Sequence, residues 1–306
     1  MEKDDITLDY LLTSYLKYHT LRPSSIKNYR NCLERFSRET EITLLSEISE
    51  ALLVAWKKEV LTRATATTWN NYHTHLRAIL NFAVRRHWMH ENYLLSIPKA
   101  RKPKLRKKTI ELDVLSKVFH ALDEYEDSFQ PKWFWDAVIK VLFFTGMRQN
   151  QLLSLKWRDI NFEKKDLFLS LEGSKTHREW TIPLPKGCID ELLYLKDQTE
   201  RKLGPVDISD HPVFRLQLFN ERFSGFGLTT SQIEGFFKKM SRLSGYKISS
   251  HRLRHTMATL IAQNGDNPDL KSLQFILGHT DIRTTMEYIE PNKKHLASVI
   301  NQLSLV

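Results

Sequence analysis

Along the first third of the chain apolar positions recur at intervals of three and four, the spacing of amphipathic helices. Helix-length segments run over residues 6–19, 24–39, 46–61 and 65–88, with Pro23 near the start of the second and Ser46 at the start of the third. In the fourth, Leu76, Ile79 and Ala83 form a buried stripe. The Thr, Asn, His and Arg residues of "TATTWNNYHTHLRAILNFAVRRHWM" make a polar face that serves either solvent or a nucleic acid. Residues 1–96 therefore read as a small four-helix domain. Beyond residue 110, helices are predicted at 111–126 and 131–145; Gly146 breaks the second, and residues 149–155 restart a short one. The stretch "DLFLSLEGSKTHREWTIPLP" then alternates with period two on either side of "GSKTH", a β-hairpin pattern, and "WRDINF" supplies a third strand. From Ser231 onward the chain is helical again. The expected class is mainly α with a small antiparallel sheet, and no internal repeat points to a solenoid.

The chain has 306 residues, 41% hydrophobic and 11% aromatic, enough for two domains with their own cores. No apolar run approaches the roughly 20 residues of a membrane span. The start "MEKDDITLDY" is too acidic and polar for a signal peptide, so a cytoplasmic location is expected. Cys32 and Cys188 stand far apart and outside any metal-binding spacing, which predicts two reduced thiols. The formal net charge of +10 favours a polyanionic partner. Seven cations, Lys99, Arg101, Lys102, Lys104, Arg106, Lys107 and Lys108, fall within "IPKARKPKLRKKT" without one acid. This segment, 97–109, reads as an extended interdomain linker, either merely solvated or lying along phosphates.

Two later segments concentrate reactive side chains. In "HRLRHTMATLIAQNG", a helix ended by Gly265, Leu253, Met257 and Leu260 fall on one side, and His251, Arg254 and His255 share a sector of about 80–100° on the other. Most such His and Arg residues are surface or capping groups. His251 and His255 at i, i+4 also have metal-ligand spacing, but the Glu of HExxH and a third ligand are missing, so no metal is expected. In "ILGHTDIRTTMEYIE", Gly278 stops a helix, Asp281 caps the next and Pro291 ends it. Ile282, Met286 and Ile289 set its apolar stripe, so Tyr288, roughly 120° away, is expected to face outward.

Arg148 in "TGMRQNQLLSLKWRDI", Lys175 in "GSKTHREWTIPL", His251 and Arg254 in "HRLRHTMAT", His279 in "LGHTDIRTTMEY" and Tyr288 resemble, in order, context and spacing, the tyrosine recombinase (phage integrase) family. Size and layout are most similar to Xer-type recombinases and small integrases, and no arm-binding domain fits ahead of residue 6. The resemblance implies a four-helix SAM-like core-binding domain over residues 1–96 and an α+β catalytic domain over 110–306, forming a C-shaped clamp. It implies that Tyr288 attacks a DNA phosphate to give a 3′-phosphotyrosyl enzyme, with neither cofactor nor ATP. Arg148 and Arg254 would neutralise the phosphate, His251 would accept the phenol proton, Lys175 would protonate the leaving 5′-oxygen, and His279 would donate to a phosphate oxygen. The implied partners are double-stranded DNA, further copies in a homotetramer on two sites, and an accessory directionality factor; a free chain is expected to be monomeric. The output would be integration, excision, inversion or resolution. One departure stands out: Gln151 occupies a position where the family carries an acid that braces the histidine and arginine. The tail, about 291–306, sets Leu296, Val299, Ile300 and Leu303 at helical spacing, for packing on its own domain or, as the family implies, docking in a neighbour. A DNA-binding regulator that has lost catalysis, a metal-dependent nuclease using the histidines and a relaxing topoisomerase are the competing readings.

Overall fold

In the computed structural model, residues 5–103, 109–173, 178–263 and 269–288 are described. The chain divides into two compact units, Met1–Leu105 and Arg106–Val306.

The first unit contains α1 (Leu8–Lys17), α2 (Pro23–Thr40), α3 (Glu50–Arg63) and α4 (Ala66–Arg85). Thr7, Ser49 and Thr65 accept backbone N–H groups at the starts of α1, α3 and α4, and Pro23 opens α2 with its preset φ. The cap of α3 is thus Ser49; Ser46 lies in a preceding 3-10 turn. Phe36, Trp56 and Trp69 are at most 1% exposed, and their rings meet edge to face at 4.9 and 5.6 Å. Glu39 accepts from the Trp56 indole at 2.8 Å and pairs with Arg63, and these partners hold its carboxyl below the ordinary range against the opposing effect of burial.

Two polar residues of α4 have structural work. Asn70 Nδ2 donates to Ala100 O at 2.9 Å while its Oδ1 accepts from Ala100 N at 2.8 Å. His73 Nε2 donates to the carbonyls of Ile97 (2.8 Å) and Leu94 (3.2 Å). Together with buried Ile97, these bonds tie the start of the basic segment to the first unit.

The second unit contains α5 (Leu112–Glu124), α6 (Lys132–Thr145), α7 (Gln149–Ser154), a three-stranded sheet, α8 (Ile189–Leu203), α9 (Thr230–Ser244), α10 (Ser250–Gln263), α11 (Leu270–Leu277) and α12 (Ile282–Met286). The sheet is the antiparallel meander β1 (Ile160–Asn161), β2 (Asp166–Leu169) and β3 (Trp180–Pro183), with Leu169 opposite Trp180 and Leu167 opposite both Ile160 and Ile182. Leu167, Leu169 and Ile182 point into the core, as alternation requires. Helix α6 is apolar nearly all round because it is surrounded: it packs on α10, α8 and α5. Trp135 on α6 stacks on Phe236 of α9 at 4.2 Å. Gly146 and Gly278, both at φ +59°, close α6 and α11.

Cys32 and Cys188 are buried, and burial pushes both thiols up to about 12. Among the described residues no helix is long and apolar enough to cross a membrane.

Candidate active site

Gly146 and Gly278 determine where the reactive groups converge. Each glycine turns the chain sharply at a helix C-terminus, and each is followed within two residues by a polar side chain, Arg148 and His279. A Cβ on Gly278 would lie 2.3 Å from the Trp180 ring of β3, and one on Gly146 would strike the Met257 side chain of α10. Side chains at these positions would push the two helix ends away from β3 and α10.

Into this gap projects Arg254, 3% exposed. Its Nη1 donates to Gly146 O at 2.5 Å, and its Nη2 to Leu277 O at 2.8 Å and to His279 Nε2 at 3.0 Å. Tyr288 lies close enough to favour the charged form of Arg254. The guanidinium thus rests on the carbonyl ends of α6 and α11, where the helix dipoles place partial negative charge. Burial, and then repulsion from Arg148, pull its pKa down to about 10. Arg148 is half-buried; its own pKa is lowered by burial, with Tyr288 acting in the opposite sense. Among the described residues neither guanidinium is paired with a carboxylate.

A guanidinium can only donate, so His279 Nε2 is an acceptor and the ring proton sits on Nδ1, which donates to Thr285 Oγ1 at 2.9 Å. In this state His279 has no Nε2 proton to offer a phosphate. Thr285 is fully buried and anchors the ring; nothing in its sequence context distinguishes it from Thr284.

Tyr288 is 4% exposed, contrary to the outward orientation expected from the sequence. The physical reason is that α12 ends at Met286, so a helical stripe continued to Ile289 does not apply. The Tyr288 N–H bonds Thr285 O at 3.0 Å, a three-residue step that puts Tyr288 on the buried Thr285 side, while Met286 is 52% exposed. The phenol ring lies 5.1 Å from His255 and 6.0 Å from His279, nearly parallel to the latter.

Helix α10 also departs from expectation. Arg254 and His255 are buried rather than displayed, because residues 253–258 are covered without interruption. His251 is exposed, and its Nε2 lies 2.7 Å from His255 Nε2. Gln151, 3% exposed, accepts the Arg148 N–H at 2.9 Å and so fixes the start of α7; its Nε2 has no hydrogen-bond partner among the described residues. Lys175 lies outside the described residues, but Gly173 just before it packs on the α7 backbone, where a Cβ would come within 2.4 Å of Gln151 Cα. Lys99, Arg101 and Lys102 are exposed; Lys104, Arg106, Lys107, Lys108 and the tail lie outside the described residues. In the first unit, a cleft of about 520 Å³ between α2 and α4 is lined by Asn28, Asn31, Arg35, Arg38, Asn71, Tyr72 and His75 among others. Among the described residues no three His, Cys, Asp or Glu side chains converge as a metal site.

A buried phenol close to two guanidiniums and to the imidazoles of His255 and His279, with no carboxylate on either guanidinium among the described residues, suits chemistry on an anionic phosphate. Residues 108–295 match the phage integrase family, and the chain belongs to that family. It is 29% identical over 308 residues to a putative tyrosine recombinase XerC of Pseudomonas syringae, covering 97% of this chain and 64% of that protein. To tyrosine recombinase XerA of Pyrococcus furiosus it is 31% identical over 170 residues, 55% of this chain and 54% of that one. The chain thus spans less than two thirds of the length of either relative. In fold it is similar to a lambda integrase dimer bound to a COC′ core site, with TM-score 0.71 at 20% identity over 94% of this chain and 78% of that one. It is also similar to the XerH site-specific recombinase bound to difH, with TM-score 0.67 at 22% identity over 97% and 85%.

Proposed function

We propose that this chain is a site-specific DNA recombinase whose nucleophile is Tyr288. The observation that carries the reading is the buried Tyr288 phenol placed where it acts on both the buried Arg254 guanidinium and Arg148. As Tyr288 Oη bonds to phosphorus, its proton passes to His251, and the bond from phosphorus to the 5′-oxygen breaks. That oxygen takes a proton from Lys175. The 5′-hydroxyl of a partner strand then attacks the phosphotyrosine and returns the phenol. One phosphoester replaces another at each step, so no ATP is consumed.

Arg254 and Arg148 supply the charge that the pentacovalent phosphate requires. In the resting geometry Arg254 spends its donors on Gly146 O, Leu277 O and His279. A phosphate takes over part of that set, which frees His279 Nε2 to gain a proton and bond a phosphate oxygen. Exposed Lys99, Arg101 and Lys102 lead a basic run suited to phosphates. The amides and guanidiniums of the α2–α4 cleft match the donor and acceptor pattern of base edges. The working form is a tetramer on two duplexes, coupled through the tail beyond Pro291, with an accessory factor setting direction and the reaction taking place in the cytoplasm.

The test is to incubate the protein with nicked duplexes tiled across the DNA flanking its gene and to sequence the covalent adducts. Wild type is expected to form a protein adduct at one site, and Tyr288→Phe none while still shifting the same DNA in a gel. An adduct that survives in Tyr288→Phe overturns the assignment.

A further inference from the structure

We infer that His255 is a positioning residue for the proton transfer, holding His251 and sharing its charge in place of the acid that Gln151 has replaced. The inference rests on the recombinase reading for the identity of the reaction, and on geometry of its own for the role. The two rings stand one helical turn apart on α10, their centroids 4.2 Å apart and their planes at 81°. Their Nε2 atoms face each other at 2.7 Å. Two lone pairs cannot meet at that distance, and neither can two N–H groups, so one proton lies between the rings and one nitrogen accepts it. The pair therefore titrates as a unit.

The consequence for the mechanism is direct. When His251 takes the Tyr288 proton it becomes an imidazolium, and its Nε2–H points at a neutral imidazole that accepts it. A bond from a charged donor is roughly twice as strong as one between neutral groups, so His255 favours the protonated form. In the family pattern a carboxylate performs that service, whereas here Gln151 is occupied in capping α7. His255 is also placed to sense the nucleophile, since its ring lies 5.1 Å from that of Tyr288. Among the described residues the groups seen against it include His251 on its own helix and Tyr288 from the turn after α12. Behind Tyr288 stand Arg148, Arg254 and His279. The cations oppose a second proton on the pair. On α6 the lysines are engaged elsewhere, Lys140 with Glu191 and Lys132 with Asp123 and Asp136.

The test begins on the free protein, labelled with ¹⁵N at histidine. A scalar coupling between the two Nε2 nuclei and a joint, two-step titration of both rings are expected; two independent single-step curves without coupling overturn the inference. The second measurement follows single-turnover adduct formation against pH on the nicked flanking duplexes. For His255→Phe the acid limb is expected about one pH unit lower and the plateau about tenfold lower, the size of one charge-assisted hydrogen bond. His255→Gln keeps an acceptor and is expected to lie between the two, with melting temperatures confirming that each variant is folded. A folded His255→Phe with the wild-type limb and plateau overturns the role. Failure of wild type to form any adduct condemns the recombinase reading instead, leaving the coupled titration to stand or fall alone.

Discussion

Replacing Arg254 by Met separates the cost of holding a charge from its use. With its pKa pulled down to about 10, the buried guanidinium is held at an expense on the order of 3 kcal/mol, at about 1.4 kcal/mol per pH unit. Met removes that expense but leaves Gly146 O and Leu277 O without their donors, at about 1 kcal/mol or more each. The two changes nearly cancel, so the net effect on folding is within about 2 kcal/mol, a melting shift of no more than roughly 8 °C for a unit of this size. Loss of a preorganised charge at a transition state, by contrast, costs roughly 10²–10³ in rate. Thermal melting and single-turnover adduct formation on the same preparation decide the matter. A rate within about tenfold of wild type refutes the phosphate role; a collapse in melting temperature that accounts for the lost adduct makes Arg254 a structural residue. Arg254→Lys keeps the charge but cannot span two carbonyls and His279 from one nitrogen, and is expected to fall between.

Lys175→Ala should slow cleavage of ordinary DNA by about 10² or more and be rescued by a 5′-thiolate leaving group; Gly173→Ala, whose Cβ would collide with the α7 backbone, should show the same rescue by displacing the chain that leads to Lys175. Absence of rescue in both counts against general-acid catalysis. Gly278→Ala should cost about 2–4 kcal/mol, combining a positive φ with a Cβ 2.3 Å from Trp180, whereas Gly204→Ala, at positive φ in open space, should cost about 1 kcal/mol; equal losses in urea unfolding refute the close-approach argument. Burial holds His73 below its ordinary pKa of about 6.5, so the unfolded chain binds a proton that the native unit refuses. Stability of the first unit should therefore fall as pH drops below about 6.5, and His73→Gln, which keeps a donor toward Ile97 O, should flatten that slope in tryptophan fluorescence titrations; an unchanged slope refutes it.

Periodicity located the helices and the hairpin because those elements bury one face in a local, repeating way. It failed where burial came from every side or from no repeat. Helix α10 is enclosed across 253–258, so the two-faced wheel drawn for His251, Arg254 and His255 described only His251. Tyr288 turned inward because α12 stops two residues before it, and the signal available was the brevity of the segment between Gly278 and Pro291. The polar face of α4 read as one surface, yet Asn70 and His73 bind the chain at 94–100 while Asn71 and His75 line the cleft with α2. No local pattern separates these duties, since each depends on a partner distant in sequence. The backbone carbonyls that cradle Arg254 carry no sequence identity at all; only the glycines beside them do.

The choice of carbonyls over carboxylates at that cradle has an electrostatic reason. A carboxylate on Arg254 would form a full ion pair, and a phosphate would then have to displace a whole opposing charge before it gained anything. Two helix ends offer roughly half a charge each, enough to keep a buried guanidinium ionised at neutral pH but too little to satisfy it. Arg148 sharpens the imbalance, since its repulsion adds to the burial that lowers the Arg254 pKa. Gln151 in place of an acid works in the same direction by removing a negative charge beside Arg148. On the proposed function, that imbalance is one a phosphate would relieve, most of all as the phosphorus gained its fifth oxygen and further negative charge. Binding energy would then be reserved for the transition state, where it raises the rate, and not spent on the resting protein. On this view Gln151→Glu should raise the melting temperature and lower the rate of adduct formation together; a variant that gains stability and keeps the wild-type rate shows that the imbalance has no catalytic use.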